Sequence, residues 1–545
     1  MWMDDGTKQA LLWAEVWDRF RPLTPMGQQA KRSLPPFLPG EEAAWQASLA
    51  RQETLSGTIN DDPDWAERVE GRLRKLPDPG MVLLHLERGG APGITDWFRL
   101  KQFLWHVRGL GALLNEKGLT GWLSANPSEW TQTFRLLNPS QREEPGFSLD
   151  QGYDPHLTAL AKRLDDLDQR RRLVVDARAS EIERDYGIRR GREGEWAVDR
   201  TLPILNRMRQ DPRLDRVRET PFETVFRPLS SPEEEALAEE AASLEKEREE
   251  LVQDVLEILA VSVRPFGPFL TKALEEVTHF DLAWAKVRAA MEWRGVRPRP
   301  SMVFSLEDGV HPVLQDRLQR EEKVFTPVCL RLDQGMTVLI GPNMGGKTVA
   351  LRTLGVVAAL GQYGFLVPTR ACSMPLFPWI TAIIGDAQNP EAGLSTFGAE
   401  AAHLAHWLRE PEAGLLLLDE IGRGTNPVEG AALSAAVTRY LATGEGWSVH
   451  ATHYREVLDV SGIRAYRTGG LRNAESPPVG GEDQGSLHDR MDFRLYPWQP
   501  SDGFPREALA IAAALGLPKK VIREAKARID DREPRCTELA EHDNP

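Results

Sequence analysis

Residues 339–355 read LIGPNMGGKTVALRTLG and contain, at positions 341–348, the complete spacing G-x-x-x-x-G-K-[ST]. Gly341, Gly345 and Gly346 allow a backbone to close tightly around phosphate oxygens, with Pro342, Asn343 and Met344 spanning the turn. Lys347 would reach the β- and γ-phosphates of a nucleotide, and the Thr348 hydroxyl would bind Mg2+. Farther along, GLLLLDEIGRGTNPVEG (414–430) runs an apolar stretch into two adjacent carboxylates. Asp419 is placed to hold Mg2+, and Glu420 to orient or deprotonate an attacking water. SVHATHYREV then delivers His453 to the end of a third apolar run, where an imidazole can contact a γ-phosphate. A histidine in such a place is more often structural, but the two preceding motifs change that reading. The expected chemistry is Mg2+-dependent ATP hydrolysis, with Glu420, His453 and Lys347 as the catalytic groups.

These residues need strands that end together and a helix that starts at the loop. MTVLI and GLLLLDE read as strands buried on both faces of a parallel sheet, and TVALRTLGVVAAL reads as the helix. The predicted fold class is an α/β P-loop ATPase domain over residues 301–530, a parallel-sheet core with flanking helices. It is preceded by a mostly α-helical lever and clamp region and followed by a tail, 531–545. Residues 1–150 read as a helical core region, in which Trp97, Phe98, Leu100, Phe103, Leu104 and Val107 recur at helical spacing.

Residues 151–300 carry two leucine seams. Leu157, Leu160, Leu164 and Leu167 step by three and four, and Leu237, Ala241, Leu244, Leu251, Val255 and Ile258 keep the same beat. SPEEEALAEE opens the second seam with a serine before proline and glutamates in the first turn, a strong helix start. Two such arms predict a long antiparallel hairpin carrying a tip near 185–230. Arg207, Arg209, Arg213, Arg216 and Arg218 in that tip could contact nucleic-acid phosphates. Interspersed carboxylates such as Asp211, Asp215, Glu219 and Glu223 allow a plain solvated surface instead.

At 545 residues the chain exceeds a single core, so several domains are expected. A net charge of −14 counts against an extensive DNA-binding face while leaving room for a local basic patch. Cys329, Cys372 and Cys536 are too widely spaced for a metal-ligand pattern. The N-terminus lacks a secretory pattern, and no apolar run is long enough to span a bilayer, so a cytoplasmic location is expected.

GPNMGGKT, GLSTFGAE, LLLLDEIGRGTNPVEGAAL and ATHYREVLD together are similar to the ATPase domain of the MutS family. The likeness is dense from His311 to Asp459 and continues into FPREALAIAAALGLPKKVIREAK, which resembles the family's C-terminal dimerisation helices. The resemblance implies a homodimer, or a heterodimer of MutS-like chains, in which each ATP site is completed by the partner through the loop holding Ser395 and Thr396. It also implies that Phe325, in FTPVCLRL, stacks on adenine, although Val328-Cys329 replace the family's usual pair there. FRPLTPMGQQA resembles the start of the second bacterial MutS branch. With no Phe-x-Glu wedge and no Smr domain in this sequence, the expectation is a clamp on branched or other non-mismatch DNA. The alternative is a protein-remodelling ATPase, such as a reactivating factor for a cobalamin-dependent amino-acid aminomutase.

Overall fold

A computed structural model describes residues 2–123, 127–141, 146–149, 152–191, 193–342, 344–385, 396–410, 412–471, 490–504, 508–514 and 516–530. The chain forms two compact units, Arg68–Thr278 and a second made of Met1–Glu67 together with His279–Pro545.

In the first unit the helix Ile94–Glu116 buries Trp97, Leu100, Phe103, Leu104 and Val107, one face at helical spacing. Two helices of 32 residues, Pro155–Tyr186 and Pro232–Val263, each extend about 48 Å at 1.5 Å per residue. Asp154 and Ser231 cap them through side-chain oxygens that accept from the amides of His156 and Glu234. Leu160, Leu167, Leu237 and Leu244 are buried against one another. The pairs Arg163–Glu240 (3.7 Å) and Arg171–Glu234 (3.9 Å) run in opposite chain directions, so the helices are antiparallel. Between them β1 (Trp196–Asp199), β2 (Leu214–Glu219) and β3 (Glu223–Pro228) form an antiparallel sheet in the order β1-β3-β2. Trp196, Val198, Met208 and Phe226 give this tip its own small core with Ala179 and Ile182 of the first long helix.

The second unit is α/β. β4 (Arg299–Pro300), β5 (Phe304–Gly309), β6 (Val328–Leu332) and β8 (Ala371–Met374) make a four-stranded sheet in the order β4-β8-β5-β6. β7 (Gly335–Ile340), β9 (Ile380–Ile383), β10 (Leu415–Asp419), β11 (Trp447–Thr452), β12 (Arg464–Leu471) and β13 (Met491–Pro497) make the central sheet, ordered β13-β12-β7-β11-β10-β9. Its strands are parallel except β13, which pairs antiparallel with β12 at the edge. Every residue of β7 and β11 is buried, as apolar strands covered on both faces must be. The register sets Ile340 beside Thr452 and Ala451 beside Asp419. The carboxyl ends of β7, β11 and β10 therefore lie together, the place where open parallel sheets bind ligands.

The first 67 residues fold onto this sheet. The Trp45 indole donates to the Gly361 carbonyl (2.7 Å), and Thr7 Oγ1 accepts from the Ala382 amide (3.0 Å). Leu23 and Thr24 donate their amides to buried Asp281, at 2.9 and 2.8 Å. The segmentation expected from sequence runs along the chain, whereas these contacts group residues 1–67 with 279–545. Among the described residues no helix is long and apolar enough to cross a membrane, and no cluster of three or more His, Cys, Asp or Glu side chains is placed to hold a metal ion.

Candidate nucleotide site

β7 ends at Ile340, and the loop that follows returns into the helix Lys347–Gln362. The geometry explains the glycines. A Cβ on Gly341 would come within 2.1 Å of Thr468 Oγ1, and one on Gly345 within 2.6 Å. Gly346 caps the helix with φ +87°, in the left-handed region. Pro342 turns its carbonyl inward, Met344 is exposed, and Asn343 lies outside the described residues.

Lys347 is buried, and its ammonium donates to the carbonyls of Gly341 (2.8 Å) and Pro342 (2.9 Å). Its Nζ also lies 3.6 Å from Glu420 Oε1. Thr348 Oγ1 donates to Asp419 Oδ2 at 2.7 Å, joining the start of the helix to the end of β10. His453 Nδ1 is 3.4 Å from Glu420 Oε1 without the alignment of a hydrogen bond. Arg423 approaches the other oxygen of Glu420 at 3.7 Å. Lys347, Thr348, Asp419, Glu420 and His453 thus converge, although up to 106 positions separate them in the sequence.

The electrostatics follow from burial and pairing. Burial lowers the Lys347 ammonium from its ordinary value, opposed by Glu420 and Asp419. Burial raises the Asp419 carboxyl, opposed by the Thr348 hydroxyl. Burial alone would raise Glu420 too, but His453 and Lys347 outweigh it and hold this carboxyl below its usual range. Glu420 also has φ +54°, a conformation that costs a non-glycine residue about 1–2 kcal/mol. Its amide donates to the Ala451 carbonyl at 2.8 Å, which fixes this turn against β11.

A hydroxyl and a carboxylate in contact are hard oxygen donors of the kind Mg2+ prefers, so Thr348 and Asp419 fit that ion. The glycine loop and the helix start beyond it fit a phosphate chain. Thr468 and Arg423 were not singled out from sequence as site residues. Thr468 sits on β12, whose pairing with β7 has no signature in local spacing. Its Oγ1 is buried with no hydrogen-bond partner among the described residues.

Phe325 is buried, with 7% of its surface exposed, so most of its ring is already covered within the chain. Ser395 lies outside the described residues, and Thr396 begins the helix Thr396–Trp407. At the tip Arg209 and Arg216 both pair with Glu219, and Arg218 with Glu223 at 3.3 Å. Arg213 reaches Asp211 (2.7 Å) and Asp185 (2.8 Å), and its hydrogen bonds help hold the Asp211 carboxyl down at about 2. Arg207 instead lies over the Tyr186 ring, 5.4 Å from its centroid.

Residues 337–532, which contain both carboxylates, the lysine and the histidine, match MutS domain V. The chain therefore carries a MutS-type domain and is similar to proteins of the MutS family. Over 496 residues it is 29% identical to the DNA mismatch repair protein MutS of Thermus aquaticus, covering 88% of this chain and 56% of that protein. It is 33% identical over 303 residues to the Endonuclease MutS2 of Thermomicrobium roseum, covering 53% and 36%. The Endonuclease MutS2 of Synechocystis is 32% identical over 326 residues, covering 54% and 37%. The chain thus spans little more than half of the first MutS-family relative and just over a third of the two MutS2 proteins. The MutS2 matches agree with the likeness to the second bacterial branch read from the sequence.

Proposed function

We propose that this chain is a Mg2+-dependent ATP hydrolase of the MutS type whose nucleotide state controls a clamp on DNA. The observation that carries the ATPase reading is the 2.7 Å contact of Thr348 with Asp419, with Lys347 and His453 converging on Glu420. Loop amides and Lys347 hold the β- and γ-phosphates. Thr348 and Asp419 hold Mg2+, which when bound neutralises phosphate charge. Glu420, kept ionised by its neighbours, orients the attacking water and accepts its proton, and His453 contacts the γ-phosphate.

Two chains pair so that the loop carrying Ser395 and Thr396 completes the partner's site. ATP drives closure of the arms only by binding the closed dimer more tightly than the open one. The DNA reading is supported by the printed names of the relatives, a mismatch repair protein and two endonucleases. It favours branched or other non-mismatch duplexes.

A second reading, a protein-remodelling ATPase, is favoured by one feature of the arms. The helix Pro232–Val263 carries eleven carboxylates against Lys246 and Arg248 alone, a surface that repels phosphates. Most tip arginines are neutralised by carboxylates as well.

The discriminating experiment measures ATPase stimulation and salt-dependent binding with linear, branched and mismatched duplexes. Affinity that falls steeply with salt, together with stimulation by branched DNA, supports the clamp. Absence of duplex binding at low salt contradicts it in favour of a protein client.

A further inference from the structure

The four-stranded sheet has one face in the core and one face outward. Phe304, Leu306, Leu330, Cys372 and Met374 point inward and are buried. On the opposite face the register aligns Arg299 of β4, Ser373 of β8 and Ser305 of β5 in one row across three strands. The helix Glu42–Asp61 and the segment leading into β4 wall this row, forming an open cleft of 660 Å3 lined mainly by polar groups. That volume suits a small ligand.

The polar groups in it are prepared for an anion. The Arg297 guanidinium is held by a neutral acceptor: Nε and Nη2 both donate to Gln46 Oε1, at 3.0 and 2.8 Å. Nη2 also donates to the Gln46 carbonyl (3.2 Å), so the group is fixed in direction, and Nη1 faces the cavity beside Glu53, with which it pairs at 3.6 Å. Among the described residues Arg299 has no ion-pair partner. Ser305 and Ser373 lie 2.7 Å apart, so one hydroxyl donates to the other and the second keeps a proton for a ligand. Across the cavity Glu307 pairs with Arg370 at 3.0 Å and keeps acceptor capacity, as does Glu53.

We infer that this cavity is a binding site for a phosphate monoester of a small polyhydroxyl compound, distinct from the nucleotide loop. Arg297 and Arg299 take the phosphate through charge-assisted hydrogen bonds, the first with Nη1 and the second with its whole guanidinium. The serine pair donates one further hydrogen bond, and Glu53 and Glu307 accept from ligand hydroxyls. None of these residues belongs to the ATP site, so the inference stands apart from the proposed hydrolysis.

Calorimetric titration of the full chain with ribose 5-phosphate, ribose and inorganic phosphate tests it. Ribose 5-phosphate should bind with a Kd below about 1 mM, inorganic phosphate at least about tenfold more weakly, and ribose not at all. Arg299→Glu should weaken ribose 5-phosphate at least about tenfold while ATP hydrolysis is unchanged. A Lys347→Ala chain should bind it as the unaltered chain does. Absence of saturable binding below about 1 mM overturns the inference, as does equal binding by Arg299→Glu. Loss of binding in Lys347→Ala assigns the phosphate to the nucleotide loop and overturns it too. Equal affinity for inorganic phosphate removes the polyhydroxyl part. If Arg299→Glu weakens only a short DNA duplex, the surface belongs to nucleic acid instead.

Discussion

The hydroxyl oxygen of Thr468 stands where a side chain on Gly345 would begin, 2.6 Å from the position of its Cβ. Strand β12 therefore forms the back wall of the phosphate loop, and the loop keeps its glycines for want of space. Gly345→Ala is expected to weaken ATP binding at least about tenfold, because the loop must shift to admit one methyl group. Adding Thr468→Ala should restore part of the affinity, whereas Thr468→Ser, which keeps the oxygen, should not. Titration with ATP checks both. An unimpaired Gly345→Ala chain would mean the wall does not shape the loop.

Two buried histidines set an acid limit on stability. His450, between Thr438 (2.9 Å) and Ser434 (3.4 Å), and His311 are both pushed down to about 4 by burial. Unfolded histidines take up a proton near pH 6.5, so between about pH 6.5 and 4 only the unfolded chain binds these protons. Stability is full above that window and falls as pH drops through it, by about 2 kcal/mol per histidine at pH 5. Replacing His450 with Gln should flatten the fall, measured as the change in denaturant midpoint between pH 7 and pH 5. Equal slopes in the two chains would contradict the assignment.

Asp281 ties the N-terminal segment to the later part of the same unit. Its carboxylate accepts from the Leu23 and Thr24 amides and from Thr24 Oγ1 at 2.7 Å, and burial raises it above the ordinary carboxylate range. Asp281→Ala strands two buried donors of Thr24 and the part-buried Leu23 amide, and should destabilise the unit by about 3 kcal/mol. Chemical denaturation measures this, and a loss below about 1 kcal/mol would show the contact to be incidental.

The residues that converge at the loop were legible because each motif is local. The loop, the carboxylate pair and His453 each follow a buried strand, and apolar runs ending in polar residues are visible in sequence. What local spacing could not reveal was the neighbourhood of those strands. Thr468 reaches the loop only because β12 pairs with β7, and Thr7 meets Thr381 across 374 positions. The leucine seams pointed to the arms for the same local reason. The state of the tip arginines was not legible, because composition counts charges without showing that Arg213 is already engaged by Asp211 and Asp185.

That pairing separates the roles of two arginines. Arg213→Ala should lower the melting temperature of the tip, since it frees Asp211 and Asp185 from their shared cation. Among the described residues Arg207 pairs with no carboxylate and lies over Tyr186, so its charge is available. If duplex DNA passes the tip, Arg207→Ala should reduce the slope of log affinity against log salt by about one without unfolding. An unchanged slope would remove Arg207 from the DNA path.

In the proposed mechanism Glu420, poised between Lys347 and His453, activates the water that hydrolyses ATP held by the glycine loop. The most direct test is a single-turnover measurement with Mg2+ and ATP on the unaltered chain and on Glu420→Gln. Hydrolysis should slow by about a hundredfold or more while ATP remains bound. A Glu420→Gln chain that hydrolyses ATP at the normal rate would contradict the account.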